Sequence, residues 1–138
     1  MVVPQPGRKT MTHGQALSET TDRPNQAQRA KWNDGQPRYH EYADRWEQVW
    51  APFGQAMFDA ARLQPGERVL DVGCGYGTAT IEAAERVAPS GGVVGVDISA
   101  AMLKPARERV DSTGLDNVEL LEADAQVHQF DAGSFDAV

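Results

Sequence analysis

Three closely spaced glycines follow a short apolar run that is typical of a buried strand. The run is Arg68–Val72, and Gly73, Gly75 and Gly77 come directly after it. Glycines let a ligand approach the backbone without interference from a Cβ atom. The helix expected after them would add free N–H groups and a partial positive charge. This segment predicts a binding site for a small molecule at the carboxyl end of a strand.

An acidic residue stands just before the glycines. Asp71 lies two residues ahead of Gly73, where a carboxylate would repel a pyrophosphate. It suits a ligand that carries an ammonium group, through direct or water-mediated hydrogen bonds. The alternative is that Asp71 only caps the glycine turn.

Two further acids end the strand-like runs that follow. Asp97 is placed to accept hydrogen bonds from both hydroxyls of a ribose, although an acid there can also be a simple helix cap. Asp124 could accept the exocyclic amine of adenine while the N–H of Ala125 meets a ring nitrogen; the alternative is a solvated loop acid. Since carboxyl ends of adjacent parallel strands share one edge, we expect the three acids to converge on one crevice.

The glycine spacing distinguishes between nucleotide ligands. In the dinucleotide fingerprint Gly-x-Gly-x-x-Gly/Ala the last position would fall on Thr78, and Gly77 comes one residue early. This spacing and Asp71 argue against a nicotinamide-dependent oxidoreductase. That class of enzyme remains one alternative, and a non-catalytic interaction module built on half a nucleotide-binding fold is another.

Strands and helices alternate along the second half of the chain. Strands are predicted at 68–72, 93–97 and 118–121, and a fourth begins at Phe135. A helix is expected between the first two strands, and a second one runs from the N-cap Ser99 to Gly114. Pro105 inside it predicts a kink or a late helix start, at a cost of about 3 kcal/mol.

This alternation predicts an α/β fold. We expect a Rossmann-like three-layer sandwich with a parallel sheet of strand order 3-2-1-(4), because such crossovers are nearly always right-handed. The domains are then a disordered tail at 1–30, a helical segment at 31–64 and a half-domain at 65–138 that is truncated within strand 4. Such a fragment is expected to be inactive by itself, and Met11 is an alternative start to Met1.

Aromatic residues recur at helical spacing in the second of these segments. We expect this stripe to pack in the core, with a lid or substrate wall as the alternative, and Pro52 to break the helix or to start a second one. The stripe consists of Tyr39, Tyr42, Trp46, Val49, Trp50 and Phe53.

Composition restricts the class of protein. The net charge of −7 in 138 residues argues against tight binding to a nucleic-acid backbone. The sequence contains no run of about 18 apolar residues, so no membrane span is predicted. The single cysteine is compatible with a cytoplasmic protein. This residue, Cys74, is expected to be a small residue that fills a tight turn. The three histidines show no metal-ligand spacing, so no metal is expected; of these, His128 is expected at the surface, with a catalytic base as the alternative.

Together these motifs resemble the class I S-adenosylmethionine-dependent methyltransferases, in the branch that acts on small molecules. The similarity covers about Trp32 to Val138 and is carried by Val69–Gly77, Val94–Ser99 with Met102-Leu103, Ala123–Ala125 and Ser134–Asp136. Trp32-Asn33 is similar to a pair that precedes the first helix in that branch, near the cofactor.

The resemblance implies S-adenosylmethionine as the cofactor and a small-molecule methyl acceptor, and it indicates no catalytic base. It assigns the methionine part to Asp71, Gly73 and Gly75, the shape of the turn to Cys74 and Gly77, the ribose to Asp97, and adenine to Ile98, Met102, Asp124 and Ala125. The acceptor and the oligomeric state stay open.

Overall fold

The computed structural model describes the backbone of residues 13–138 and the side chains of residues 25–34, 41–43 and 45–138. Met1 and Met11 lie outside the described residues. The elements in chain order are α1 (His13–Ala61), β1 (Arg68–Val72), α2 (Thr78–Val87), β2 (Gly92–Asp97), α3 (Ala100–Thr113) and β3 (Val118–Glu122). The predicted domain boundary at residue 30 falls inside α1.

The three strands form one parallel sheet with β2 in the centre. Leu70 pairs with Val94, which pairs with Glu119 on its other side. On the free edge of β1, Val69 forms a parallel bridge with Ala137. The predicted order 3-2-1-(4) is therefore confirmed, with the start of the fourth strand beside the first, and helices cover both faces.

The core lies between the sheet and the helices packed on it. Its centre contains Val87 at 0% exposure and Val93 at 2%, and Phe58 of α1 packs into the same cluster. Burying such side chains contributes about 1.5–3 kcal/mol each. The C-terminal end of α1 is thus anchored to the sheet and to α2.

The expected helix break at Pro52 is wrong, because α1 continues through it to Ala61. Proline removes one backbone hydrogen bond, but tertiary contacts hold the helix on both sides. Glu47 bonds to α2 and α3, while Phe58 is buried. In the described part of the chain, no helix combines the length and the apolar character needed to cross a membrane.

The start of α3 is fixed by two side-chain caps. The Ser99 hydroxyl accepts from the Met102 N–H, as predicted, and the side-chain oxygen of Asn33 on α1 accepts from the Ala101 N–H. A late helix start at Pro105 is therefore wrong, since the capped first turn begins at Ala100. Gly114 ends the helix with a φ of 73°, as the sequence predicts.

Candidate functional site

The turn between β1 and α2 is tied to the neighbouring strand. The N–H groups of Gly73 and Cys74 both donate to the carbonyl of Val96, at 2.7 and 3.1 Å. Gly73, Gly75 and Gly77 have φ values of 77°, 54° and 78°, which side chains disfavour. Glycine and the contacts with β2 together shape this turn.

The Asp97 carboxylate connects the glycine turn to the start of α3. Its Oδ2 accepts from the Gly75 N–H at 2.9 Å, and its Oδ1 accepts from the Ser99 N–H at 2.8 Å. Each carboxylate oxygen has a further lone pair, and Asp97 lines a cavity. The helix-cap and ligand-acceptor interpretations of Asp97 are therefore compatible.

The Asp71 carboxylate accepts a hydrogen bond from a residue that the sequence analysis did not identify. Its Oδ2 accepts from the hydroxyl of Thr80, a fully buried residue of α2, at 2.6 Å. Burial raises the pKa of Asp71, the Thr80 hydrogen bond opposes this, and the charge of Asp97 raises the pKa further. Thr80 belongs to no recognisable sequence motif, so only the fold reveals this contact.

Cys74 has the environment of a structural residue. It is buried, and desolvation together with the charges of Asp71 and Asp97 raises the pKa of its thiol to about 12. Cysteine reacts as a nucleophile in its thiolate form. The raised pKa keeps the Cys74 thiol protonated at neutral pH.

Asp124 and Ala125 follow β3 in a tight turn. The Oδ1 atom of Asp124 accepts from the Gln126 N–H at 3.0 Å, and its carbonyl accepts from the His128 N–H at 2.8 Å. The His128 ring is exposed and packs edge-on against Phe130 with centroids 4.6 Å apart. His128 is not among the residues of the cavity, so the surface interpretation agrees with the structure.

Eight of the ten predicted cofactor-binding residues line one cavity of about 1420 Å³. They are Gly73, Cys74, Gly75, Asp97, Ile98, Met102, Asp124 and Ala125. Asp71 and Gly77 do not line it. A Cβ atom on Gly77 would lie 3.5 Å from the Cβ of Ala106, so this glycine faces α3.

Helix α1 forms the opposite wall of the cavity. Trp50, Phe53 and Met57 line it and are 55%, 65% and 51% exposed. Tyr42 and Trp46 are also largely exposed. Core packing of the aromatic stripe is therefore wrong for its described members, because only the Phe58 side of this helix end meets the core. The Tyr39 side chain lies outside the described residues.

Trp32 and Asn33 lie within α1 rather than ahead of it. Trp32 lines the cavity, and the Oδ1 atom of Asn33 accepts from the Ser99 hydroxyl at 2.6 Å. Asn33 thereby links α1 to the cap of α3, next to Asp97. The sequence similarity placed this pair near the site. It did not indicate that Asn33 contacts the start of α3.

A polar cluster joins three helices beside the cavity. Glu47 of α1 forms an ion pair with Arg109 of α3 and accepts from the hydroxyl of Thr78 on α2 at 2.7 Å. Burial works against ionisation, but the hydrogen bonds of Arg109 and Thr78 and the charge of Arg109 hold the pKa of Glu47 below its ordinary value. These residues are far apart in sequence, so no local pattern could reveal the cluster.

The described charged residues that line the cavity are all acidic. Among its described residues are the acids Glu47, Glu82, Asp97 and Asp124, and no lysine, arginine or histidine. Glu47 and Glu82 are neutralised by Arg109 and Arg86. The uncompensated acids lie at the strand ends, where a cationic ligand would fit better than a pyrophosphate. Within the part of the chain that the structure describes, no group of side chains is arranged to hold a metal ion.

Comparisons with known proteins show which family the chain resembles. A family profile described as "Methyltransferase domain" matches residues 63–138. The chain is 41% identical over 91 residues to the aklanonic acid methyltransferase DauC of Streptomyces sp. strain C5, an alignment covering 66% of this chain and 41% of that protein. The chain thus spans less than half the length of this curated relative.

Two solved structures are similar to the fold. Coclaurine N-methyltransferase bound to N-methylheliamine and S-adenosylhomocysteine has a TM-score of 0.53 and 29% identity, covering 58% of this chain and 23% of that one. The [4+2]-cyclase SpnF has a TM-score of 0.59 and 26% identity, covering 67% and 34%. The cyclase is named for a different reaction, so the fold by itself does not define the chemistry.

Proposed function

Because this chain belongs to the class I S-adenosylmethionine-dependent methyltransferases, we propose that it is the cofactor-binding part of an enzyme that methylates a small molecule. The observation that carries this proposal is the convergence of the glycine turn, Asp97 and Asp124 on one cavity with an acidic wall. A sulfonium and an ammonium group are both cations, which this wall favours. A pyrophosphate is disfavoured there, which argues against a nicotinamide dinucleotide.

The residues divide the cofactor between them. Asp71 would accept the ammonium of the methionine end, directly or through water, while Gly73 and Gly75 give that end access to the backbone. Asp97 would accept the ribose hydroxyls with the lone pairs left free by Gly75 and Ser99.

The adenine would lie at the far end of this arrangement. Ile98 and Met102 flank its faces, and Asp124 with the Ala125 N–H binds its edge. These roles are supported by the cavity lining, which includes all four residues. The Met102 methyl group lies 3.4 Å from the position of a Cβ atom on Gly75, an ordinary van der Waals distance, so Met102 packs beside the glycine turn.

The α1 wall is the proposed acceptor site. Pockets for one ligand are commonly about 300–1,000 Å³, so a cavity of about 1420 Å³ has space for a second molecule. Trp50, Phe53 and Met57 offer that molecule apolar and aromatic surface. The relatives named for aklanonic acid and bound to N-methylheliamine support a small-molecule acceptor. The acidic cavity wall argues against nucleic acid as the acceptor.

The bound cofactor would supply the electrophilic methyl carbon. The protein's part is to orient the two molecules and to exclude water. We assign no catalytic base. Glu47 and Glu82 are engaged in ion pairs, and Asp97 already receives two backbone N–H groups. A cytoplasmic location, expected from composition, stays a prediction.

Isothermal titration calorimetry with S-adenosylhomocysteine and with NAD⁺ tests the proposal. We expect the 138-residue chain to bind S-adenosylhomocysteine and not NAD⁺. Binding of NAD⁺ in preference would replace the methyltransferase proposal with the oxidoreductase alternative. Binding of neither ligand by a folded chain would favour the non-catalytic module.

A further inference from the structure

Thr80 and Asp71 form a buried pair behind the glycine turn. Thr80 is 0% exposed, and its hydroxyl donates to Oδ2 of Asp71 at 2.6 Å. A hydroxyl has one proton to donate, and here that proton goes to the carboxylate. Only one carboxylate oxygen is engaged in this way, so Oδ1 can accept a hydrogen bond from a ligand.

A glycine on the neighbouring strand leaves room for this contact. Gly95 of β2 is the register partner of Asp71 in β1. A Cβ atom at Gly95 would lie 2.9 Å from a methyl carbon of Leu120, 3.0 Å from the Thr80 hydroxyl oxygen and 3.1 Å from the Thr80 methyl carbon. All three distances are tighter than ordinary van der Waals contact. The absence of a side chain at Gly95 therefore leaves room for Thr80 to reach from α2 to Asp71 in β1.

The electrostatic surroundings show why Asp71 needs such support. Burial and the nearby Asp97 both raise the pKa of Asp71, and the Thr80 hydrogen bond acts against them. A carboxylate that must attract a cation has to be ionised and correctly oriented. A hydrogen bond to an ionised group is stronger than one between neutral groups, and the Thr80 hydroxyl is the group that favours the ionised form of Asp71.

We propose that Thr80 is a positioning residue, which holds the Asp71 carboxylate in place for the ammonium group of the cofactor's methionine end. This role rests on the proposed function, because it requires that end of the cofactor beside Asp71. Neither Thr80 nor Asp71 lines the cavity. Asp71 lies directly before Val72 and Gly73, which do line it, so Thr80 would act on the cofactor only through Asp71, directly or through a bridging water. Gly95 contributes to this arrangement, because its lack of a side chain leaves the space that Thr80 occupies.

The test compares two ligands that differ in the methionine end. S-adenosylhomocysteine has this end, and methylthioadenosine has the adenosine and the thioether without it. Calorimetry of the 138-residue chain should show that Thr80→Val weakens S-adenosylhomocysteine binding about tenfold. Methylthioadenosine binding should change less than about twofold by the same reasoning. Thr80→Ser, which keeps the hydroxyl, should restore most of the lost affinity.

Two further variants guard against a purely structural effect. In an Asp71→Ala background, Thr80→Val should cause no additional loss, because its partner is gone. Thr80→Ala, which removes the hydroxyl without adding a second methyl group, should reproduce the selective loss if Thr80→Val fails to fold. Equal weakening of both ligands would overturn the positioning role and make Thr80 a support of the turn alone. Failure of the wild-type chain to bind either ligand would instead contradict the proposed function itself, and the positioning role with it.

Discussion

Asp97, at the end of β2, accepts a hydrogen bond from the backbone N–H of Gly75 in the turn after β1, at 2.9 Å. One carboxylate thus holds the turn that would receive the methionine end and faces the space that would receive the ribose. Its second oxygen accepts from the Ser99 N–H at the approach to α3. Three segments of the site are therefore linked through one side chain.

Removing the charge of Asp71 should stabilise the protein without ligand while weakening cofactor binding. The pKa of Asp71 is raised chiefly by burial, so the folded state favours the neutral form and pays for ionisation at neutral pH. Asp71→Asn should raise Tm at neutral pH. This advantage should shrink as the pH falls toward the ordinary value of 3.8, where the wild-type carboxyl is also protonated.

Thermal melts across this pH range, with calorimetry of S-adenosylhomocysteine, measure both effects. We expect the affinity to fall at least about tenfold, since a charge-assisted hydrogen bond is lost. An Asp71→Asn variant that is less stable at neutral pH, with unchanged affinity, would show that Asp71 only caps the turn.

The Glu47–Arg109 pair should control how firmly α1 covers the cavity. An ion pair of this exposure contributes only about 0.2–1 kcal/mol to global stability, so Arg109→Ala should lower Tm little. Amide hydrogen exchange in α1 between residues 45 and 58 should nevertheless become faster. Glu85→Gln on the exposed face of α2 is the matched control; equal exchange in both variants would mean that the pair does not secure α1.

The same pair predicts a pH dependence. The pKa of Glu47 is lowered because Arg109 and Thr78 outweigh its burial. Its contribution is therefore present above the ordinary value of 4.5 and lost as the pH falls through the lower folded-state pKa. Protection of α1 should decrease in that acidic range before α2 is affected, and simultaneous loss in both helices would contradict this.

Two phenylalanines on α1 both line the cavity, but they differ in their contact with the core. Phe53 is 65% exposed and Phe58 is 5% exposed. Urea unfolding should show a loss of about 3–5 kcal/mol for Phe58→Ala and a change within about 0.5 kcal/mol for Phe53→Ala. A large loss for Phe53→Ala would restore the interpretation of the stripe as core packing.

Cys74 should resist alkylation in the native protein. Its thiol is buried and its pKa is raised to about 12, first by desolvation and then by Asp71 and Asp97. At about pH 8 an unperturbed thiol with a pKa of about 8.5 reacts readily. Mass spectrometry after iodoacetamide treatment should find little modification until denaturant is added. Rapid labelling of the folded chain would place Cys74 in a more accessible and reactive environment.

Local patterns were sufficient for the sheet and for most of the cavity. Short apolar runs that contain Asp71 and Asp97, and the glycines between them, predict the strands, the turn and the cavity edge, because these features depend on neighbours in sequence. The caps Ser99 and Gly114 were predictable for the same reason.

What sequence patterns missed depends on contacts between distant segments. Pro52 and Pro105 lie within helices because side chains on other elements, such as Asn33 on the α3 cap, hold those helices in place. The Thr80 hydrogen bond requires the vacant position at Gly95, 15 residues later in the sequence. The aromatic stripe has the periodicity of a core face, but periodicity does not distinguish a core from a cavity wall.

We propose above all that Asp97 organises a site for S-adenosylmethionine. A thermal melt of the 138-residue chain with and without S-adenosylhomocysteine tests it most directly, with Asp97→Ala and the exposed acid variant Asp116→Ala compared in parallel. At a hundredfold excess of ligand over Kd, we predict a stabilisation of about 2.7 kcal/mol for wild type and Asp116→Ala and none for Asp97→Ala. A cooperative wild-type melt that does not respond to the ligand, or an equal response in Asp97→Ala, would contradict the claim.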